Sequence, residues 1–346
     1  MSRRRALLSA IGESGGGGTV VDINNYLTMV SLANGFSASL STNACEYCIN
    51  GDGDWIALPA GTTTRAVTAG DTISFRANLS PSSSAGIGTF TTNASCQLTG
   101  NCMSLIFGDN AATALSLSGK NYAFYRLFKN CKNIVSVSSA FLPATTVSQY
   151  CYREMFYGCT ALTATPSLPA KTIATYCYRE MFRGCSKLTT ASALPATTMQ
   201  NDCYSYMFYG CTALKVAPDL PAKTAKQSCY NSMFYNCKAL KTAPAIAMTT
   251  TATQCCRNMF YGCSSIEVAP DLLSESLTSL CYGNMFTNCS SLRYIRALFT
   301  TEPSSSYTAN WLSGVASEGV FVKSENASWN VSGVNGIPNG WEILIG

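Results

Sequence analysis

The chain has 346 residues, 47% hydrophobic and only 12% charged, so Ser, Thr, Asn, Gly and Tyr must cover most of its surface. Its net charge of +5 is spread along the sequence and is too small to indicate nucleic-acid binding. It contains no histidine, which excludes Ser-His-Asp and Cys-His catalysis and any His-ligated metal site. No carboxylate pair or nucleophile constellation replaces them. Gly15 to Gly18 lacks the Lys-Ser/Thr that a phosphate loop needs. The expectation is a non-enzymatic protein with neither cofactor nor metal.

In chain order, residues 1–18 form a tail with a basic start, Arg3-Arg4-Arg5, a short apolar run including Leu7 and Leu8, and a four-glycine end. The apolar run is too short for a signal-peptide core. No segment approaches the ~18 apolar residues that would suggest a membrane span. The plain reading is a tail on a flexible linker. The functional one is a docking peptide in which Arg3, Arg4, Arg5, Leu7 and Leu8 order against a larger assembly. Residues 19–119 are expected to form a small β-sandwich. Strands are read at Tyr26–Val30, Phe36–Leu40, Glu46–Ile49, Asp54–Leu58, Arg65–Thr68 and Thr72–Ala77, separated by turn signals at Asn34-Gly35, Asn50-Gly51-Asp52-Gly53 and Gly70-Asp71. Trp55 suits a core or half-buried position better than a sugar platform. Cys45 and Cys48 lack a second CxxC and read as strand packing. Cys96 and Cys102 flank Gly100, as across a hairpin.

Residues 120–300 are a repeat array. The stretch Cys151-Tyr152-Arg153-Glu154-Met155-Phe156-Tyr157-Gly158-Cys159 recurs every 26 residues, with first cysteines at Cys177, Cys203, Cys229, Cys255 and Cys281 and second ones at Cys185, Cys211, Cys237, Cys263 and Cys289. A fixed period in this range means stacked supersecondary units, a solenoid. Cys, Met/Phe and Cys at i, i+4/i+5 and i+8 predict about two helical turns with one inward face. Leu162, Leu188, Leu214, Leu240, Ile266 and Leu292, followed by Leu-Pro-Ala segments, predict short parallel rungs whose prolines keep the sheet irregular. The first unit, Phe124 to Ile134, runs out of phase, which puts a two-residue insertion within Val135 to Phe141. The twelve periodic cysteines are expected to stack as buried free thiols, small inward-facing hydrophobes. From Glu302 the repeat pattern ends, and residues 301–346, with Trp311, Trp329 and Trp341, are expected to cap the array.

The motif Met-Phe-Tyr-Gly-Cys-Thr-Ala-Leu at 155–162, repeated at 207–214, resembles the BspA-like leucine-rich repeats of gut bacterial surface proteins and of phages of gut bacteria. The second cysteine is similar to the Asn/Cys slot of leucine-rich repeats, which turns inward. The tail Asn310-Trp311-Leu312-Ser313-Gly314-Val315 looks like the ending common in this group, and Ala69 to Arg76 is similar to domains that precede such repeats. The resemblance implies a mainly β protein with short helices and no shared catalytic residues. Without a recognisable leader, a virion location is expected, as a phage fibre or decoration, with the bacterial cell surface as the alternative. A reducing cytoplasm at synthesis agrees with free thiols. In that picture residues 1–18 meet other virion structural proteins, the sandwich acts as spacer or homo-oligomer contact, and the repeats meet a host-surface glycan or protein, with no nucleic acid and no membrane insertion. Repeat slots that change between copies, Arg153/Glu154, Arg179/Glu180, Ser205/Tyr206 and Asn231/Ser232, are expected to face solvent. The candidate ligand surface is Tyr157, Arg183, Tyr209, Tyr235 and Tyr261, an aromatic and hydroxyl-rich row suited to stacking and adaptable hydrogen bonds. The plainer reading is that these tyrosines pack along the solenoid flank.

Overall fold

Alternating apolar residues and tight turns pair the first strands of the chain. The computed structural model describes residues 20–81 and 84–346, so the docking candidates Arg3, Arg4, Arg5, Leu7 and Leu8 lie outside the described residues. Seven strands come first: β1 (Leu27–Ser31), β2 (Ala38–Leu40), β3 (Cys45–Ile49), β4 (Ile56–Leu58), β5 (Thr72–Arg76), β6 (Phe90–Thr92) and β7 (Cys96–Gly100). The Asn50-to-Gly53 turn joins β3 to β4 as an antiparallel hairpin, with Tyr47 opposite Ile56. Arg65–Thr68 is not a strand and contributes only an isolated bridge from Val67 to Phe36. Gly100 does not make a hairpin between Cys96 and Cys102: the chain leaves β7 there and enters the short helix α1 (Ser104–Phe107).

The strand that follows changes the domain picture. β8 (Ile134–Val137), from the first repeat, pairs in parallel with β7 and completes a six-stranded sheet of order β4-β3-β5-β1-β7-β8. The two-stranded sheet β2-β6 packs on it through Phe75 and Phe90, whose rings lie 4.9 Å apart, and Phe90 in turn stacks on Phe128 of the first repeat at 5.7 Å. One hydrophobic core therefore runs from Leu27 through the repeats to Trp341, and residue 119 is no structural break. The expected sandwich region is continuous with the repeat stack.

Within the repeats the Cys-to-Cys stretch is not helical. In Tyr150–Cys159 the N–H groups of Arg153, Met155, Tyr157 and Cys159 donate three residues back, at 3.1–3.2 Å. Those of Tyr152, Glu154, Phe156 and Gly158 donate forward to Cys177, Arg179, Met181 and Arg183 of the next copy, at 2.8–3.1 Å. Alternate amides thus close a turn or join two coils. Every fourth residue is left-handed to permit this, as at Tyr150 (φ 60), Glu154 (φ 56) and Gly158 (φ 70), and again at Tyr176, Glu180 and Gly184. A non-glycine residue in that conformation costs about 1–2 kcal/mol, and a backbone hydrogen bond returns about 1 kcal/mol. Strain and ladder nearly cancel, so side-chain burial has to decide stability. The third left-handed slot eases the cost with Gly or Asn throughout: Gly158, Gly184, Gly210, Asn236, Gly262 and Asn288.

The buried columns supply that burial. Phe128, Phe156, Phe182, Phe208, Phe234, Phe260 and Phe286 stack ring on ring at 5.4–5.7 Å. Tyr152, Tyr178, Tyr204 and Tyr230 do so at 5.7–6.0 Å, with Cys256 interrupting before Tyr282. All eighteen cysteines are buried and free. The second cysteine column has a definite polar job: Cys159, Cys185, Cys211, Cys237, Cys263 and Cys289 donate S–H to Phe128, Phe156, Phe182, Phe208, Phe234 and Phe260 carbonyls at 2.9–3.2 Å. Burial pushes thiols such as Cys185 and Cys289 up to about 12, so they carry no thiolate at neutral pH.

The Leu-containing segments form the ragged parallel ladder expected of them, through bridges such as Ala164 to Thr190, Thr190 to Val216 and Thr242 to Val268. The first coil's Tyr122 N–H reaches Gln149, whereas Tyr152 reaches Cys177, a reach two residues longer in the first coil. Thr163 pairs back to Val135, 28 residues earlier. The extra residues fall in the single 3₁₀ turn Ser139–Phe141. At the other end the coil geometry continues past Glu302. After the short helix α2 (Ser305–Thr308), Phe286 donates to Trp311 and Asn288 to Ser313 just as in earlier coils. β9 (Tyr294–Ala297), β10 (Val320–Lys323) and β11 (Glu342–Ile345) then make a three-stranded parallel sheet of order β11-β10-β9. Trp311, Trp329 and Trp341 are buried, each indole donating to a backbone carbonyl, while Ile343, Leu344 and Ile345 of the edge strand are exposed.

Candidate binding face on the coil turns

Because residues 151, 152, 155, 156 and 159 point inward, each coil presents outward the slots typified by Tyr150, Arg153 and Tyr157, with the Glu154 slot set between neighbouring coils. The coils repeat so closely that equal slots touch. The five candidate residues Tyr157, Arg183, Tyr209, Tyr235 and Tyr261 indeed form one column. The Arg183 guanidinium lies 4.5 Å over the Tyr209 ring and 5.6 Å from Tyr157. Tyr209, Tyr235 and Tyr261 are parallel at 4.5 and 4.6 Å. Lys129 caps the column over Tyr157 at 4.7 Å. All five are half-buried. Their inner ring faces are taken by each other, so they offer edges and hydroxyls rather than open stacking platforms. The expectation of ligand stacking on these rings is corrected in that respect, because the coil spacing closes the gaps.

The variable slots are less exposed than expected. Glu154, Ser205 and Ser232 are buried, wedged between neighbouring coils. Glu154 is the centre of an ion cluster: Arg126 Nε donates to Oε2 at 2.9 Å, Lys129 Nζ donates to the same oxygen, and Arg153 Nε lies 3.2 Å from Oε1. Burial alone would push its carboxyl up, but the hydrogen bonds and charges of Arg126 and Lys129 outweigh this and hold it below the ordinary glutamate value. One coil on, Arg179 and Arg183 hold Glu180 at 3.3 and 3.0 Å, and Arg179 reaches Asp202 at 3.0 Å. A second tyrosine column that the sequence reading missed, Tyr122, Tyr150 and Tyr176, stacks beside this cluster at 4.5 and 4.9 Å. Tyrosine at the same 26-residue slot in two copies was the available signal.

Elsewhere the described residues hold no group of three or more potential metal ligands, and no helix is long and apolar enough to cross a membrane. In the N-terminal region Trp55 is half-buried under the Arg76 guanidinium at 4.2 Å, with Arg76 tied to Glu46 and Asp109. Its ring face is therefore covered. On the proline-bearing side of the repeats a cavity of about 420 Å³ is lined by Pro221, Pro244, Pro270, Ile246, Asp219 and Asp271.

The coil with its inward Cys, Met/Phe, Cys and Leu slots is matched by the family described as BspA type leucine rich repeat region, in six copies over residues 120–241 and 201–308. The chain belongs to this family. Comparison with curated proteins and with solved structures finds no match. The BspA-type match spans the whole column of outer slots from Lys129 to Tyr261, so the candidate face is built entirely of repeat positions.

Proposed function

We propose that this BspA-type protein is a non-enzymatic adhesive scaffold, a repeat solenoid continued from an N-terminal β-sandwich, carried on a phage virion as a fibre or decoration. Its outer coil turns bind a host-surface glycan or protein. One observation carries the reading: the inward slots repeat almost unchanged while the outward slots differ from coil to coil. Folding requires the inner columns, whereas the slot that is tyrosine in Tyr157, Tyr209, Tyr235 and Tyr261 also accepts Arg183, which pairs with Glu180. Rigid columns of half-buried tyrosine with arginine between them present polar edges at low entropic cost, which suits recognition. The purified protein should bind intact bacterial host cells saturably. Replacing Tyr209 and Tyr235 with Ser should weaken that binding while the chain still unfolds in one cooperative transition. Undiminished binding by that double variant would remove the face from the reading. Detection of the protein in purified virions supports the virion location, and surface labelling on uninfected cells would replace it with the cell surface.

A further inference from the structure

We propose that the outer face between Tyr122 and Tyr209 binds an acidic polysaccharide lying along the coil axis, its carboxylate or sulfate groups taken by Arg126, Arg153, Arg179 and Arg183. This deepens the adhesive reading above and rests on it.

The charges of this face are layered. The carboxylates lie beneath, with Glu154, Glu180 and Asp202 only 4%, 12% and 17% exposed. The cations lie above them, Arg126 at 43% and Arg183 at 33%. Five cations (Arg126, Lys129, Arg153, Arg179, Arg183) against three carboxylates leave an excess of positive charge, and the layering turns it toward solvent. Each arginine spends part of its donor fork on a carboxylate below and keeps further N–H groups for a ligand above. A planar guanidinium suits the paired oxygens of a carboxylate or sulfate.

The spacing selects the kind of anion. Rings in successive coils lie 4.5 and 4.9 Å apart along Tyr122, Tyr150 and Tyr176; Arg153 and Arg179 fill one slot of successive coils, with Arg126 and Arg183 in neighbouring slots, so the face offers cations in three successive coils. The ring interval is close to the length of one pyranose unit. An extended acidic peptide rises ~3.3 Å per residue and presents same-side groups at about twice that distance, which falls out of step with the coils. A single-stranded nucleic acid would need open aromatic faces for its bases, and here the tyrosines stack on one another. Their exposed edges and hydroxyls instead suit the hydroxyl groups of a sugar chain.

The test uses the whole chain passed over immobilised alginate (carboxylated), heparin (sulfated), dextran (neutral), polyglutamate and single-stranded oligonucleotide. Retention is expected on alginate or heparin, with the tighter of the two naming the acid group, and none on dextran. Arg126→Gln and Arg183→Gln should each weaken that binding about tenfold, the loss of one charge-assisted hydrogen bond. Lys241→Gln, at an exposed cation off these turns, should leave it unchanged. Hydrogen exchange on the unaltered protein should show ligand protection at the turns from Tyr122 to Tyr209, a readout independent of variant folding. Equal or tighter binding to polyglutamate or oligonucleotide, unweakened arginine variants, or protection elsewhere would each overturn the proposal. If intact cells are bound but neither acidic polysaccharide is, this inference falls while the adhesive reading stands.

Discussion

The coils that begin at Tyr122, Tyr150 and Tyr176 and those that begin at Ser228, Gln254 and Leu280 share one interior and differ on the outside. Earlier coils carry Arg126, Arg153, Arg179 and Arg183 over buried carboxylates. The later outer slots hold Asn231, Ser232, Asn258 and Asn284, with Arg257 their one cation. The phenylalanine column passes through both halves at the same spacing. The difference teaches that the hydrogen-bonded coil is indifferent to what stands on its turns. Most of the stability is set inside, and the chemistry outside varies from coil to coil.

The largest test of that separation is inside. Phe182→Ala and Phe260→Ala remove equivalent rings from the two halves, and each should cost about 3–5 kcal/mol in chemical denaturation. Unequal losses would show that the interior is not shared. On the outside the halves should diverge. Glu154→Ala leaves Arg126, Lys129 and Arg153 without their common carboxylate and should cost about 2–3 kcal/mol, at the low end for a buried pair because the cations can rehydrate. Ser232→Ala, in the same slot three coils on, should cost less than about 1 kcal/mol.

Acid should act on the same cluster. The Glu154 carboxyl is held below its ordinary value, so its contribution is present above the ordinary glutamate range and is lost as pH falls through the depressed folded value. Thermal midpoints across a pH series should fall at the acid end, and Glu154→Gln should flatten that fall. A profile unchanged by Glu154→Gln would place the acid sensitivity elsewhere.

Glycine in the third left-handed slot sharpens the comparison at a smaller scale. A Cβ on Gly158 would meet the Asn130 carboxamide oxygen, whereas one on Gly210 meets nothing within 4 Å. Gly210→Ala should cost about 1 kcal/mol for backbone strain alone, and Gly158→Ala measurably more. Equal costs would mean that Asn130 moves aside freely. An effect of similar size belongs to Tyr235→Leu, which breaks the stack between Tyr209 and Tyr261 and should cost about 0.5–1.5 kcal/mol. A larger loss there would make the column a support of the fold rather than a presented edge.

What the sequence determined by itself was the period, the inward columns and the slip near Ser139. Repetition at 26 residues leaves only one way to bury Met155, Phe156, Cys159 and Leu162, which is to stack them on their copies. It did not determine the backbone between those residues. Positions i, i+4 and i+8 share a face in an α-helix, and they share one equally in a chain that turns every four residues. Gly158 and Asn236 in one recurring slot were the sign of the second, since that slot demands a left-handed backbone. Only the tertiary structure decided that alternate amides bind the next coil, because the partner of Tyr152 N–H is Cys177 and no local pattern names it. For the same reason the continuation of the sheet from β7 into β8 had no signature in local sequence, whereas that of the coil did, since Trp311, Leu312 and Gly314 keep the 26-residue slots of Met285, Phe286 and Asn288. The candidate column of Tyr157, Arg183, Tyr209, Tyr235 and Tyr261 was legible as a repeated slot. Whether its rings lay open or stacked on one another was set by the distance between coils, a property of the assembled stack rather than of any one copy.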